Sequence, residues 1–509
     1  MNVLLLTTDQ QRADSIGAYG NPVCRTPNID ALAAAGTRFD AARTQNPFCQ
    51  PARATILTGT YPSTHGVTCN GIDLPERAVD ASVATHLASA GMRTALFGKA
   101  HFASVFPFVP TGRLESVEGS MTMPDGWTGP YFGFEHVELV LFGHNLRMAP
   151  LQGNWNWCFG PAPMGLHYGR FLFRDGADKG RARLAAMQPE AAGRAWDRTQ
   201  TWRNRLDEED HPTTWIAERA IEWLRDVDGP FFAWVSFTDP HHPMDAPEPW
   251  CDEYAPEDVL EVLPEPHPDE FDAKPPLHRF WTTGGGAGSL FDFANPGGAN
   301  YSREELALMT AGYYGMVTQI DHQIGRVLAA LDERGMADDT LVIMTTDHGE
   351  FLGHHQMMFK GPLHYDDLLR VPLIARGPGF DPGAVRDDPV GTIDLAATAL
   401  RAVGVPVPDH MEGRPLHDTS ARDAVLTEDD FDIVFKTSLR TITTRRHKLT
   451  NNLDVADGGV LYDLEDDPGE LVNRWADPAC KAVREDLLAR LAELTARPVH
   501  HEPKVGIVG

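Results

Sequence analysis

The stretch TLVIMTTDHG, Thr340–Gly349, decides the fold. Apolar and β-branched residues run through Thr346 without a charged break and stop at Asp347-His348. A run of that length and composition suits a strand buried on both faces. Residues 304–334, just before it, carry apolar side chains at helical spacing and read as a long amphipathic helix. Working outward, VLLLTT (Val3–Thr8), TALFG (Thr94–Gly98) and FFAWVSF (Phe231–Phe237) share the texture of the first run. The helical patterns TPNIDALAAAG (Thr26–Gly36) and VATHLASAG (Val83–Gly91) lie between them. Strands alternating with helices predict an α/β fold: a large, mostly parallel sheet with helices on both faces.

Two regions break the rhythm. Residues 103–210 and 265–300, the second containing TTGGGAGS, are rich in Gly and Pro and carry little periodicity. Both read as long loops over one face, suited to a lid or an oligomer contact. After about residue 410 the texture changes. LRTITTRRHKLTNN (Leu439–Asn452) and GVLYDLEDDPGE (Gly459–Glu470) read as antiparallel strands, followed by a last helix from roughly 479 to 496. The predicted organisation is a main domain over 1–410 with the two insertions, and a small α+β subdomain over 411–509.

Composition narrows the function classes. The chain has 509 residues, 42% of them hydrophobic, enough for a large core. A formal net charge of −28 repels nucleic acid and anionic membranes, so neither is expected as a partner. No run is long and apolar enough to span a bilayer. Asn2 onward lacks a charged leader and a cleavage site, and reads as a strand and not as a signal peptide. The six cysteines, at 24, 49, 69, 158, 251 and 480, have no paired spacing, which points to reduced thiols and a cytoplasmic location.

In open α/β sheets, ligands bind beyond the carboxyl ends of the strands. Asp9-Gln10 follows the first strand, Lys99 and His101 the second, Asp239 and His241-His242 the third, and Asp347-His348 the fourth. Asp9, Asp347 and His348 are donors suited to a divalent cation. Lys99, His101 and His241 are cations or proton donors for an anionic group, a positive pocket inside an acidic protein. Cys49 precedes Pro51, which suits the start of a helix, and Arg53 falls one turn on, on the same face. Read alone, Cys49 is an inert core thiol, a nucleophile or the precursor of one. The tryptophans at 127, 155, 157, 196 and 202 read as core or interface residues.

The motif Cys49-Gln50-Pro51-Ala52-Arg53, followed by Thr58-Gly59, resembles the signature of the type I sulfatases of the alkaline phosphatase superfamily. GKAH (98–101), PHHP (240–243), DHGE (347–350), Lys360 and the LYDLEDDPGE segment extend the likeness over nearly the whole chain outside the two loops. The resemblance implies that Cys49 is oxidised by a formylglycine-generating enzyme to formylglycine, whose hydrated gem-diol supplies both nucleophile and exit route. It implies a metal shell of Asp9, Gln10, Asp347, His348 and residue 49, holding Ca²⁺, Mn²⁺ or Mg²⁺. By the same resemblance Arg53 fixes the diol, Lys99, His241 and Lys360 hold the ester oxygens, and His101 takes the proton that releases sulfate. Thr8 and His348 stand where many sulfatases have Asp and Asn. In this the chain is similar to choline sulfatases and phosphonate monoester hydrolases, which also place an Asn where Asn70 lies. The implied substrate is a small sulfate ester, with a phosphonate monoester or phosphodiester as the alternative. A homo-oligomer, dimer or tetramer, is expected.

Overall fold

A computed structural model describes residues 1–140, 166–193, 198–283, 298–418, 422–432, 435–456 and 458–506. In chain order the strands are β1 (Asn2–Thr8), β2 (Thr37–Phe39), β3 (Ala42–Arg43), β4 (Arg93–Gly98), β5 (His136–Leu139), β6 (Phe231–Ser236) and β7 (Thr340–Thr346). They continue with β8 (Leu373–Arg376), β9 (Ala384–Arg386), β10 (Val390–Gly391), β11 (Ala424–Asp432), β12 (Lys436–Thr444), β13 (His447–Asn452) and β14 (Val460–Asp463). The main sheet has the order β5-β4-β6-β1-β7-β8-β2-β9. Its centre is parallel, with β1 between β6 and β7, and only β8 runs against its neighbours β7 and β2. All seven residues of β1 and of β7 are buried.

Both faces of the sheet are covered, as the unbroken apolar runs require. Val3 and Leu5 pack with Ala54, Ile56 and Leu57 of the helix Cys49–Thr58 and with Leu395 and Ala399 of the helix Asp394–Ala402. Leu4 and Leu6 point the other way, into Ile320, Ile324 and Val327 of the helix Arg303–Glu333 and Trp215 and Ile216 of the helix Pro212–Asp226. The long helix is fixed at its start by a capping box between Ser302 and Glu305.

A second sheet, β11-β12-β13-β14, is antiparallel throughout, and Leu487 and Leu491 of the helix Lys481–Thr495 pack on its Leu426, Ile442 and Leu449. Its edge strand β11 is bonded to the main domain. Glu428 N–H donates to Gln45 O at 2.9 Å and Thr427 Oγ1 to Thr44 O at 2.7 Å. The small sheet therefore braces the segment that leads into Cys49.

The long-loop reading of residues 103–210 needs correction. That stretch supplies β5, which pairs in parallel with β4 at the sheet edge, and the helices Val117–Met121, His167–Leu172 and Ala177–Ala186. These elements are short, and β5 is stabilised by its pairing with β4 more than by its own periodicity. Residues 265–283 likewise hold a helix, Pro276–Thr282. Most of TTGGGAGS, with Trp155, Trp157, Trp196 and Cys158, lies outside the described residues. Trp202 is buried and Trp127 half-buried. β11 was not anticipated, because its TEDDFD half has no apolar alternation.

Candidate active site

The parallel strands end on one rim, and the predicted residues meet there. β1 delivers Asp9 and Gln10, β4 delivers Lys99, and β7 delivers Asp347 and His348. Gly98 makes the β4 exit possible: its φ is +98°, and a Cβ there would run into the Ser236 carbonyl of β6. Opposite the strand ends sits the helix Cys49–Thr58. Cys49 is its first residue and not the residue before it, so the thiol lies on the first helical turn.

One donor atom each from Asp9, Cys49, Asp347 and His348 lies within 4.8 Å of the others, and all four residues are buried. Cys49 Sγ is 3.2 Å from His348 Nε2 and 3.8 Å from Asp9 Oδ1. His348 Nδ1 faces Gly349 O at 2.9 Å, which directs the ring proton there and leaves the Nε2 lone pair toward the cluster. Asp347 Oδ1 accepts from the backbone N–H of Gln10 and of His348, at 3.1 and 2.9 Å. Gln10 holds an αL backbone, φ +63°, and its amide nitrogen donates to Glu350 while its Oε1 is buried without a hydrogen-bond partner among the described residues. Two carboxylates and an imidazole on one point fit a divalent cation, and the unpartnered amide oxygen of Gln10, the residue after Asp9, is a further oxygen donor.

Cations surround this donor set. Lys99 Nζ pairs with Asp9 Oδ2. Arg53 Nε donates to Asp347 Oδ2 at 2.8 Å, and its Nη1 to Ser236 Oγ at 2.7 Å and to Lys99 O at 2.9 Å. Lys360 Nζ lies 2.9 Å from Cys49 Sγ and 3.2 Å from His348 Nε2. The electrostatics follow. Burial alone would raise the Asp9 carboxyl, but Lys99, Arg53 and Lys360 hold it well below the usual range. Burial likewise pushes the Cys49 thiol up, and Lys360 and Lys99 more than reverse this, bringing it down to about 7. His348 is raised in spite of burial, through Asp347 and Cys49.

The remaining predicted residues border the cluster. His101, with φ +59°, is held far below its ordinary pKa by burial and then by Lys99 and Arg53, so its ring is neutral. Asn70 Oδ1 accepts from Gln50 N–H at 3.1 Å, one residue from Cys49. His241 is buried and stacks on His242, with centroids 4.1 Å apart. His242 Nδ1 lies 3.3 Å from Gln10 Nε2. Glu115 and Ser236 were not anticipated. Glu115 accepts from the backbone N–H of His101 and Phe102 and so shapes the turn after Lys99. It lies within the region read as loop, with no motif around it. Ser236 ends a strand run that was read for its apolar residues alone. Cys24, Cys69, Cys251 and Cys480 are free thiols away from the cluster.

The chain resembles known proteins over nearly its whole length. A family model described as Sulfatase matches residues 1–405, and one described as N-sulphoglucosamine sulphohydrolase, C-terminal, matches 353–497. The chain is 30% identical to the multifunctional alkaline phosphatase superfamily protein PehA of Trinickia caryophylli, over 95% of this chain and 93% of that one. It is 29% identical to the arylsulfatase of Clostridium perfringens, over 93% and 89%. The crystal structure of the phosphonate monoester hydrolase of Agrobacterium radiobacter superposes with a TM-score of 0.75 at 27% identity, covering 97% of this chain and 95% of that one. With the family model spanning most of its length and a donor set on the strand rim, the chain belongs to the sulfatase family, within the alkaline phosphatase superfamily, and is a sulfate-ester hydrolase.

Proposed function

We propose that this pocket cleaves small sulfate esters to inorganic sulfate and an alcohol or phenol, using formylglycine made from Cys49 and one divalent cation. The observation that carries the proposal is the convergence of Asp9, Cys49, Asp347 and His348 on one buried point ringed by Arg53, Lys99 and Lys360. Bound there, the cation adds Lewis-acid stabilisation of the transferring group, and hydrated formylglycine adds a hydroxyl nucleophile. Asp9, Gln10, Asp347 and His348 would hold the cation together with residue 49. A site with both carboxylate and imidazole donors suits Mn²⁺ as well as Ca²⁺ or Mg²⁺.

The other residues act by position and charge. Arg53 holds Asp347 and orients residue 49 from one turn up the helix. Lys99, Lys360 and His241 hold the ester oxygens, and the two lysines offset the negative charge that builds up there. Asn70 fixes the first turn of the helix at Gln50. His101, neutral in this environment, is the proton acceptor.

Intact-mass measurement of protein made with a formylglycine-generating enzyme tests the chemistry. The modified chain is lighter by the difference between H₂S lost and one oxygen gained. A retained thiol in protein that turns over 4-nitrophenyl sulfate would refute the formylglycine assignment. The likeness to the phosphonate monoester hydrolase favours a second reading with the same site, hydrolysis of phosphonate monoesters or phosphodiesters. Comparison of kcat/KM on 4-nitrophenyl sulfate and 4-nitrophenyl phenylphosphonate separates the two. The proposal extends to a cytoplasmic enzyme, supported by the five cysteines that are free among the described residues, and to a homo-oligomer, which sedimentation velocity would test. Among the described residues no helix is long and apolar enough to cross a membrane.

A further inference from the structure

Between His348 and Lys360 the chain makes an excursion whose backbone is far from relaxed. Leu352, His355, Gln356 and Phe359 have φ of 48°, 53°, 54° and 58°. Residues with side chains hold such left-handed conformations only where their surroundings dictate it. Phe359 directly precedes Lys360. The excursion closes on itself through Phe351 N–H to Phe359 O at 2.9 Å and Gly353 N–H to Met357 O at 2.8 Å. Its hold on Lys360 therefore depends on what fixes the tip.

The tip is fixed by charge. His355 is buried, with Nδ1 2.5 Å from Glu270 Oε1 and Nε2 3.0 Å from Asp367 Oδ2. A carboxylate at each ring nitrogen calls for a proton on each, so the ring is an imidazolium between two anions. It also stacks on Tyr365, with centroids 3.8 Å apart. Asp367 Oδ1 faces His354 Nδ1 at 3.1 Å and Arg12 at 2.9 Å. Arg12 in turn donates to Glu350 O at 2.7 Å and Phe351 O at 3.1 Å, at the base of the excursion. Lys274 completes the set on the far side of Glu270, at 2.8 Å. Among the described residues none of these side chains pairs with Asp9, Cys49, Asp347 or His348. The strained loop that this charged network fixes leads directly into Lys360.

We propose that Glu270, His355 and Asp367 form a clamp that positions Lys360 over residue 49. They are positioning residues, and the proposal rests on the reading above in one respect, that Lys360 acts on the transferring group. The clamp borders a cavity of about 810 Å³ that Arg12, Glu270, His354, His355 and Asp367 help to line, so solvent reaches its outer side.

A double-mutant cycle tests it. His355→Gln is made in the wild-type chain and in Lys360→Ala, and kcat and KM are measured on 4-nitrophenyl sulfate. His355→Gln alone is expected to lower kcat about tenfold with KM nearly unchanged, and to have no further effect once Lys360 is gone. Hydrogen exchange at Phe351 and Gly353, read without substrate, is expected to quicken about tenfold in the same variant. Equal kcat losses in both backgrounds, or unchanged exchange at these amides, overturn the clamp. Full activity in Lys360→Ala overturns it too, by removing the role it serves. Should His355→Gln fail to fold, Glu270→Gln, which keeps the Asp367 contact, carries the same comparison. A wild-type chain inactive on the sulfate ester would count against the proposed function, while the exchange measurement would still judge the clamp.

Discussion

Arg53 Nε lies 2.8 Å from Asp347 Oδ2, and both side chains are fully buried. This pair ties the helix that starts at Cys49 to the end of β7, across 294 positions of sequence. Arg53→Ala leaves a carboxylate buried without its main partner, a change that typically costs about 3–5 kcal/mol. Urea unfolding is expected to show that loss. Turnover is expected to fall at least about a hundredfold, because Asp347 and residue 49 lose their common anchor. Arg53→Lys restores the charge but not the several fixed donors, and is expected to recover stability better than activity.

His348 is the group that distinguishes this donor set from an all-oxygen one. In His348→Asn the affinity for Mn²⁺ relative to Ca²⁺ is expected to drop about 10- to 100-fold. Titration calorimetry on metal-stripped protein reads the ratio directly. An unchanged ratio would place the cation elsewhere.

His65, at the end of the short helix Pro62–His65, is a buried acid-sensitive point against the helix that carries Cys49. Val67 N–H donates to its Nδ1 at 3.1 Å, and its Nε2 faces Thr55 Oγ1 at 3.1 Å. Burial brings its pKa down to about 3. Below pH about 6.5 the unfolded chain takes up a proton that the folded chain refuses. His65 therefore contributes full stability above 6.5 and loses it as the pH falls toward 3. The slope is about 1.4 kcal/mol per pH unit at most. His65→Gln is expected to flatten this part of the stability profile, and the difference in urea midpoints between variant and wild type from pH 7 to pH 4 measures it.

Gly71 has φ +91°, and a Cβ on it would run into the Gly506 carbonyl. Its own carbonyl accepts from Val505 and Gly506, at 2.8 and 3.0 Å, so it receives the C-terminal tail beside Asn70. Gly71→Ala combines a left-handed alanine, about 1–2 kcal/mol, with that collision. A lower melting temperature and faster proteolysis of the tail are the expected results.

Much of the site was legible because a parallel sheet sends every strand's carboxyl end to one rim. Asp9, Lys99 and Asp347-His348 could be assigned to that rim from run ends alone. Gln10 was readable as a neighbour of Asp9, but its orphaned oxygen and its bond to Glu350 were not. His242, given no role by the sequence reading, reaches Gln10. Glu115 lay hidden in a stretch without periodicity, and the helices and β5 there are too short to announce themselves. The acidic half of β11 gave no strand signal because its pairing with β12 and its backbone bonds to the main domain stabilise it.

The order of residues along the chain thus determined the fold class, the strand ends and the identities of the groups gathered there, since periodicity and run length are local properties. Only the tertiary structure decided which oxygen of each carboxylate turns inward, that Arg53 spans to Asp347, and that a buried imidazolium stands behind Lys360. These depend on contacts between positions hundreds of residues apart, where side-chain direction is set by packing and charge pairing and not by neighbours in sequence.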